Sequence, residues 1–201
     1  MIAIVSYGCG NVQAIANIYK RLAVPAMLAE NAEQLRAAER IILPGVGAFD
    51  WAMTRLNSSG MRAALDEAVT RKPVLGICVG MQMMADSSEE GELPGLGWIN
   101  GRVRRFDLDH ITKRTHLPHM GWNDVRPRET SGLFEGLGDA RFYFLHSYYF
   151  DASDDAAIRS QTDYHGIFSS GVASGNAYGV QFHPEKSHEW GIRLLKNFSG
   201  L

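Results

Sequence analysis

Pro73-Val74-Leu75-Gly76-Ile77-Cys78-Val79-Gly80-Met81-Gln82 is the stretch that decides how this chain folds. Residues 73–77 form a short apolar run of the kind that makes a buried strand, and residues 81–85 start a helix. Between them, Gly76-Ile77-Cys78-Val79-Gly80 sets a potential nucleophile on a strand-to-helix turn, with glycine two residues to either side. So sharp a turn crowds its neighbours, and the missing side chains relieve the clash. The turn presents Cys78 above the carboxyl edge of a sheet and at a helix N-terminus, where the dipole favours thiolate over thiol.

Upstream, the same alternation repeats. Ile2-Ala3-Ile4-Val5, residues 26–29 and Ile41-Ile42-Leu43 read as strands, the last cut off by Pro44-Gly45-Val46-Gly47. Helical segments separate them. Asn11 can cap a helix whose apolar side is Val12, Ile15, Ala16, Tyr19 and Leu22. Asn31-Ala32-Glu33-Gln34 resembles a capping box, and residues 48–57 and 61–71 are helical. Strands separated by helices predict a parallel sheet with right-handed crossovers. Downstream, strand signals at 98–106, 141–150, 167–175 and 178–182 lie closer together, which predicts some antiparallel pairing. Residues 187–198 close the chain as a helix. The expectation is a single α/β domain over residues 1–201, with a central mixed, largely parallel sheet flanked by helices. Residues 86–95 and 108–116 carry the weakest structural signal.

Composition narrows the function classes. Hydrophobic residues at 45% and charged residues at 21% exclude intrinsic disorder. Twenty basic against 22 acidic side chains leave a net charge of −2, so no polycationic surface for nucleic acid is implied. No run approaches the ~18 apolar residues of a membrane span. Cys9 and Cys78 are too few for a disulfide scaffold, which suits a reducing, cytoplasmic setting. The one excess is glycine, 21 residues, about 10% where ~7% is usual.

A nucleophile needs a base, and the base needs an orienter. His183-Pro184-Glu185 follows the strand at 178–182. Residues two apart at a strand end share a face, so Glu185 can hold the His183 imidazole in one tautomer and stabilise its protonated form. Pro44-Gly45-Val46-Gly47 follows the third strand, on the same carboxyl edge as Cys78. Its backbone N–H groups, with that of Val79, can form an oxyanion hole. Which strand order unites these ends does not follow from spacing.

Gly76-Ile77-Cys78-Val79-Gly80-Met81-Gln82 together with His183-Pro184-Glu185 resembles the class I, triad-type glutamine amidotransferases. The likeness extends to Leu43-Pro44-Gly45-Val46-Gly47-Ala48-Phe49, Pro118-His119-Met120-Gly121-Trp122-Asn123, His146-Ser147-Tyr148 and Gly179-Val180-Gln181-Phe182. It implies a glutaminase of that fold in which Cys78 attacks the glutamine side-chain amide, His183 is the general acid and base, and Glu185 orients it. Val46, Gly47 and Val79 would form the oxyanion site, and Gly45, Gln82, Ser147 and Tyr148 would bind substrate. No cofactor or metal is implied. The ammonia would pass to a separate (β/α)8-barrel subunit in a heterodimer, because free ammonia is protonated and lost at neutral pH. Trp122, Asn123, Tyr143 and Lys186 are candidates for that interface. The acceptor could instead be an enzyme amidating a surface-polysaccharide sugar, as Asp50-Trp51 and Ser187-His188-Glu189-Trp190-Gly191 suggest. A reading from another class is a non-catalytic scaffold with a relic site.

The remaining features are weaker. Cys9 reads as a small loop residue. His110, His116 and His119 match no zinc spacing, and His146 and His165 read as structural or surface histidines. The basic stretch 102–114 reads as a solvated strand and loop.

Overall fold

The computed structural model describes residues 1–107, 116–164 and 166–201. Its first half alternates as the spacing predicts: β1 (Ile2–Val5), α1 (Val12–Arg21), β2 (Ala26–Ala29), α2 (Ala32–Ala37), β3 (Arg40–Gly45), α3 (Phe49–Ser58), α4 (Arg62–Val69), β4 (Val74–Cys78) and a one-turn α5 (Val79–Gln82). The second half holds β5 (Ser87–Ser88), β6 (Gly101–Arg105), β7 (His119–Asp124), β8 (Arg126–Pro127), β9 (Arg141–His146), β10 (Tyr148–Ala152), β11 (Ile158–Asp163), β12 (Ile167–Ser174), β13 (Ala177–Val180) and α6 (His188–Phe198). No helix among the described residues is long and apolar enough to cross a membrane.

One mixed sheet organises these elements in the order β2-β1-β3-β4-β13-β12-β10-β6-β5, with β11 and β8 branching from β12. From β2 to β13 all neighbours run parallel. The side beyond β13 is built mainly of antiparallel pairs. β7 and β9 form a separate two-stranded ribbon. Every residue of β1 and β4 is buried, as expected of parallel strands covered on both faces. Burying each Leu or Ile of this core contributes about 1.5–3 kcal/mol.

Local chemistry sets the element ends. At α2, Asn31 Oδ1 accepts from the Gln34 N–H at 3.0 Å, and Gln34 Oε1 accepts from the Glu30 N–H at 2.7 Å. That is a capping box displaced by one residue. Asn11 sits at the N-cap of α1, but its side chain makes no cap bond. β3 runs through Pro44 and Gly45, beyond the end read from the sequence. The Pro44 carbonyl accepts from Tyr7 Oη at 2.7 Å, toward the side where the β1 ladder has already stopped at Ile42. The missing proline N–H faces that same side and interrupts no ladder.

Other boundaries also differ. The helix expected at 81–85 begins at Val79 and lasts one turn, so the dipole behind Cys78 is that of four residues. Residues 141–150 split at Ser147 into β9 and β10, which enter different sheets. β7, β8 and β11 had no clear strand signal.

Gly76 and Gly80 are required by close approach. A Cβ at Gly76 would lie 2.6 Å from the Gly80 carbonyl oxygen, and one at Gly80 would overlap the Leu43 carbonyl oxygen on β3. Gly80→Ala should therefore cost about 1–3 kcal/mol or more, by forcing β3 away from the turn. Gly138→Ala, whose added carbon meets nothing nearer than 3.8 Å, should change stability by less than about 0.5 kcal/mol. Urea unfolding of the two variants checks the contrast, and equal midpoints would refute it.

Candidate active site

β4 lies between β3 and β13, all three parallel, so their carboxyl ends stand side by side. Gly45 is level with Cys78 across one ladder, and Val180 with Ile77 across the other. This order brings the Pro44–Gly47 segment, Cys78 and His183 to one sheet edge, where spacing alone left them unconnected.

Cys78 adopts φ 55°, ψ −112°. A non-glycine residue held in such a conformation costs about 1–3 kcal/mol, and the surrounding glycine packing keeps it there. Cys78 is 4% exposed and lines a cavity of about 280 Å³. Gln181 Nε2 points at its sulfur from 3.8 Å, and the Leu145 carbonyl lies 3.9 Å away.

His183 lines the same cavity as Cys78, and its Nδ1 lies 2.9 Å from Glu185 Oε1. The His–Glu geometry arises from a tight 3-10 turn, Pro184–Lys186, rather than from a continued strand. Lys186 N–H and Ser187 Oγ both donate to the His183 carbonyl and hold that turn. Glu185 accepts at Nδ1, so Nδ1 carries a proton and Nε2 is left for the sulfur. Burial alone lowers the His183 pKa. The charge of the neighbouring Cys78, followed by the hydrogen bond and charge of Glu185, outweighs it and raises the ring to about 10. The Glu185 side chain is 2% exposed, and its Oε2 is buried without a hydrogen-bond partner. A carboxylate so poorly solvated favours a positive imidazolium beside it.

Gln82, Ser147, Tyr148, Gly47, Val46 and Val79 all line the cavity. Gly45 does not. It lies beneath the turn, where a Cβ would overlap the Gly80 backbone nitrogen, so its role is packing. The Val46 N–H donates to Cys9 Sγ at 3.3 Å, and Cys9 Sγ donates to the Val46 carbonyl at 3.1 Å. In this arrangement the proposed Val46 oxyanion donor is committed to the Cys9 thiol. Cys9, read as a small loop residue, is therefore a contact of the oxyanion segment.

Glu90 was missed by sequence reasoning, because Ser88-Glu89-Glu90 looks like an exposed acidic turn. Its side chain accepts from the Phe49 N–H at 2.9 Å and brings a carboxylate to the cavity. Burial raises its pKa, the Phe49 N–H opposes this, and Asp50 adds to it.

Beside the mouth lies an apolar strip. Trp122 and Met120 on β7 are 40% and 62% exposed, and they pair with Tyr143 and Leu145 on β9. Lys186 Nζ lies 5.6 Å from the Tyr143 ring centroid, and Trp122 stacks on His188 at 5.3 Å. Trp122, Tyr143 and Lys186 thus share one surface, and Met120 and Leu145 join it. Asn123 turns inward instead, to the Asp163 carbonyl at 2.9 Å and to His119 Nε2 at 3.2 Å.

His119 and His146 are both buried. No metal-holding cluster exists among the described residues. His110, His165 and residues 108–114 of the basic stretch lie outside those residues. Burial first, then the neighbouring His119, lowers the His146 pKa to about 3. An unfolded histidine titrates near ~6.5. The stability that depends on a neutral His146 is therefore complete above about pH 6.5 and is lost as the pH falls from there toward 3. Denaturant midpoints measured from pH 7 to 4 should fall for the wild type and fall less steeply for His146→Phe. Parallel profiles would remove His146 from the account.

Residues 4–199 match the family model described as Glutamine amidotransferase class-I. Similar full-length proteins include "Imidazole glycerol phosphate synthase subunit HisH" of Bdellovibrio bacteriovorus, 58% identical with all of both chains covered. The protein of the same name from Leptospira borgpetersenii is 44% identical, again over all of both chains. Among solved structures, "Crystal structure of glutamine amidotransferase" superposes with a TM-score of 0.76 at 19% identity, covering 100% of each chain. That likeness speaks to the fold alone.

Proposed function

Because the chain belongs to the glutamine amidotransferase class-I family, we propose that it is the glutaminase subunit of an imidazole glycerol phosphate synthase. It would hydrolyse glutamine and deliver ammonia for histidine biosynthesis. The observation that carries this reading is the β3-β4-β13 order, which gathers Cys78, the His183–Glu185 pair and the Val46 segment around one cavity. The full-length likeness to two subunits of that name supports the choice of synthase.

In the proposed reaction, the Cys78 sulfur attacks the side-chain amide carbon of glutamine, and His183 holds the thiol proton. The C–N bond breaks as His183 gives that proton to the departing nitrogen, leaving ammonia and a γ-glutamyl thioester. His183 then takes a proton from water, hydroxide adds to the thioester, and glutamate leaves as Cys78 regains its proton. Glu185 keeps Nε2 aimed at the sulfur throughout. Glu90 suits the substrate's α-ammonium. The Val79 and Val46 N–H groups would stabilise the oxyanion, and Val46 must first leave Cys9.

The apolar strip beside the mouth supports docking of a separate (β/α)8-barrel subunit, with large aromatics at the centre of the contact. That subunit would add the ammonia to a phosphoribosylated precursor, yielding imidazole glycerol phosphate and an aminoimidazole carboxamide ribotide.

Glutamate release with the barrel partner and its ligand present tests the assignment. Cys78→Ala should abolish it, and equal glutamate from the two proteins would end the triad reading. Glu185→Gln should lower kcat/KM by about a hundredfold or more. The isolated chain should turn over glutamine far more slowly than the complex, because Cys9 holds the Val46 N–H. Matching rates would remove that gating.

A further inference from the structure

The two buried histidines form a chain whose direction follows from the Tyr148 carbonyl at its end. His146 Nδ1 lies 2.8 Å from the Tyr148 carbonyl. A carbonyl only accepts, so His146 carries its proton on Nδ1. The ring is buried and neutral, which makes its Nε2 an acceptor. His119 Nδ1 lies 2.9 Å from that nitrogen and must therefore be the donor. His119 Nε2 in turn faces the Asn123 side-chain amide at 3.2 Å, which donates to it. The hydrogen bonds thus run from Asn123 to His119, to His146 and to the Tyr148 carbonyl.

The same carbonyl accepts from Gln82 Nε2 at 3.0 Å, and Gln82 Nε2 also donates to Gln181 Oε1 at 3.1 Å. Both hydrogens of the Gln82 amide are thereby committed, which fixes the side chain where it lines the cavity. The His119 ring is stacked between Tyr164, at 3.8 Å, and Phe144, at 4.6 Å. Two phenylalanines would fill this space without desolvating any polar group. Two such rings could not hold the Tyr148 carbonyl, so what the histidines add is direction.

We propose that His119 and His146 are positioning residues for glutamine, holding the Tyr148 carbonyl and the Gln82 amide in register with β7. This rests on the glutaminase reading above. The chain spans from β7, whose Met120 and Trp122 face outward, to the cavity wall, so the wall is set from the ribbon. His146 holds the Tyr148 carbonyl directly and His119 acts through His146, on the binding groups rather than on the reacting sulfur, so their loss should act on KM.

The test uses the full chain with its barrel partner and glutamine. His119→Phe keeps the ring stack and deletes the hydrogen bonds. It should raise KM for glutamine about tenfold with kcat within about threefold of wild type. His119→Asn restores a donor near the position of Nδ1 and should recover KM to within about threefold. Ring 15N NMR of the wild-type chain should show the Nδ1–H tautomer at both His119 and His146, and this needs no variant to fold. An unchanged KM in His119→Phe, a loss confined to kcat, an Asn variant as impaired as the Phe variant, or an Nε2–H tautomer at either ring would each overturn the proposal alone. A wild-type complex that hydrolyses no glutamine would overturn the functional reading and this proposal with it.

Discussion

The bend at Cys78 is the constraint on which the rest of the molecule depends. A positive φ at a residue with a side chain persists only where packing over-determines it. Here the packing is backbone on backbone. Gly80 rests on the Leu43 carbonyl, and Gly76 rests on Gly80. β3 must therefore lie against the turn, which fixes the neighbour of β4 on one side, while β13 occupies the other. The strand that presents the thiol also chooses which loops surround it. Strain at one residue and the order of the sheet are two views of a single arrangement.

The electrostatics follow from burial at that edge. Cys78, His183 and Glu185 are held out of water, where charges interact strongly and partners are few. His183 is pulled up against its burial by the sulfur and the carboxylate, while His146 is pushed down first by burial and then by the neighbouring His119. Two histidines close to one cavity thus serve opposite ends, one as a proton carrier and one as a neutral spacer. The difference lies in what each ring nitrogen meets.

Much of this was legible in the sequence where the signal is local. Gly76 to Gly80 encodes its own turn, His183 and Glu185 lie two residues apart, and β1 to β4 follow from apolar runs between helices. What was not legible is non-local or inverted. Nothing near Cys9 announces that its thiol will meet Val46, and Glu90 is acidic in an acidic turn. β7 escaped notice because its outward positions carry Met120 and Trp122, so alternation there points away from the core. Asn123 was placed on the outer surface by its neighbour Trp122, although period-two geometry sends its side chain to the opposite face. Gly45 was read as a pocket residue because it adjoins Val46, yet the continuation of β3 tucks it beneath the turn.

The break at Ser147 gives the molecule a mechanical character. One residue separates β9, in the outer ribbon, from β10, in the central sheet. A single stretch of backbone therefore belongs to two bodies at once. With one residue between them, the position of β9 sets where Tyr148 stands. The cavity wall therefore inherits its place from the ribbon, which the Tyr143 carbonyl and N–H pin to the His183 turn.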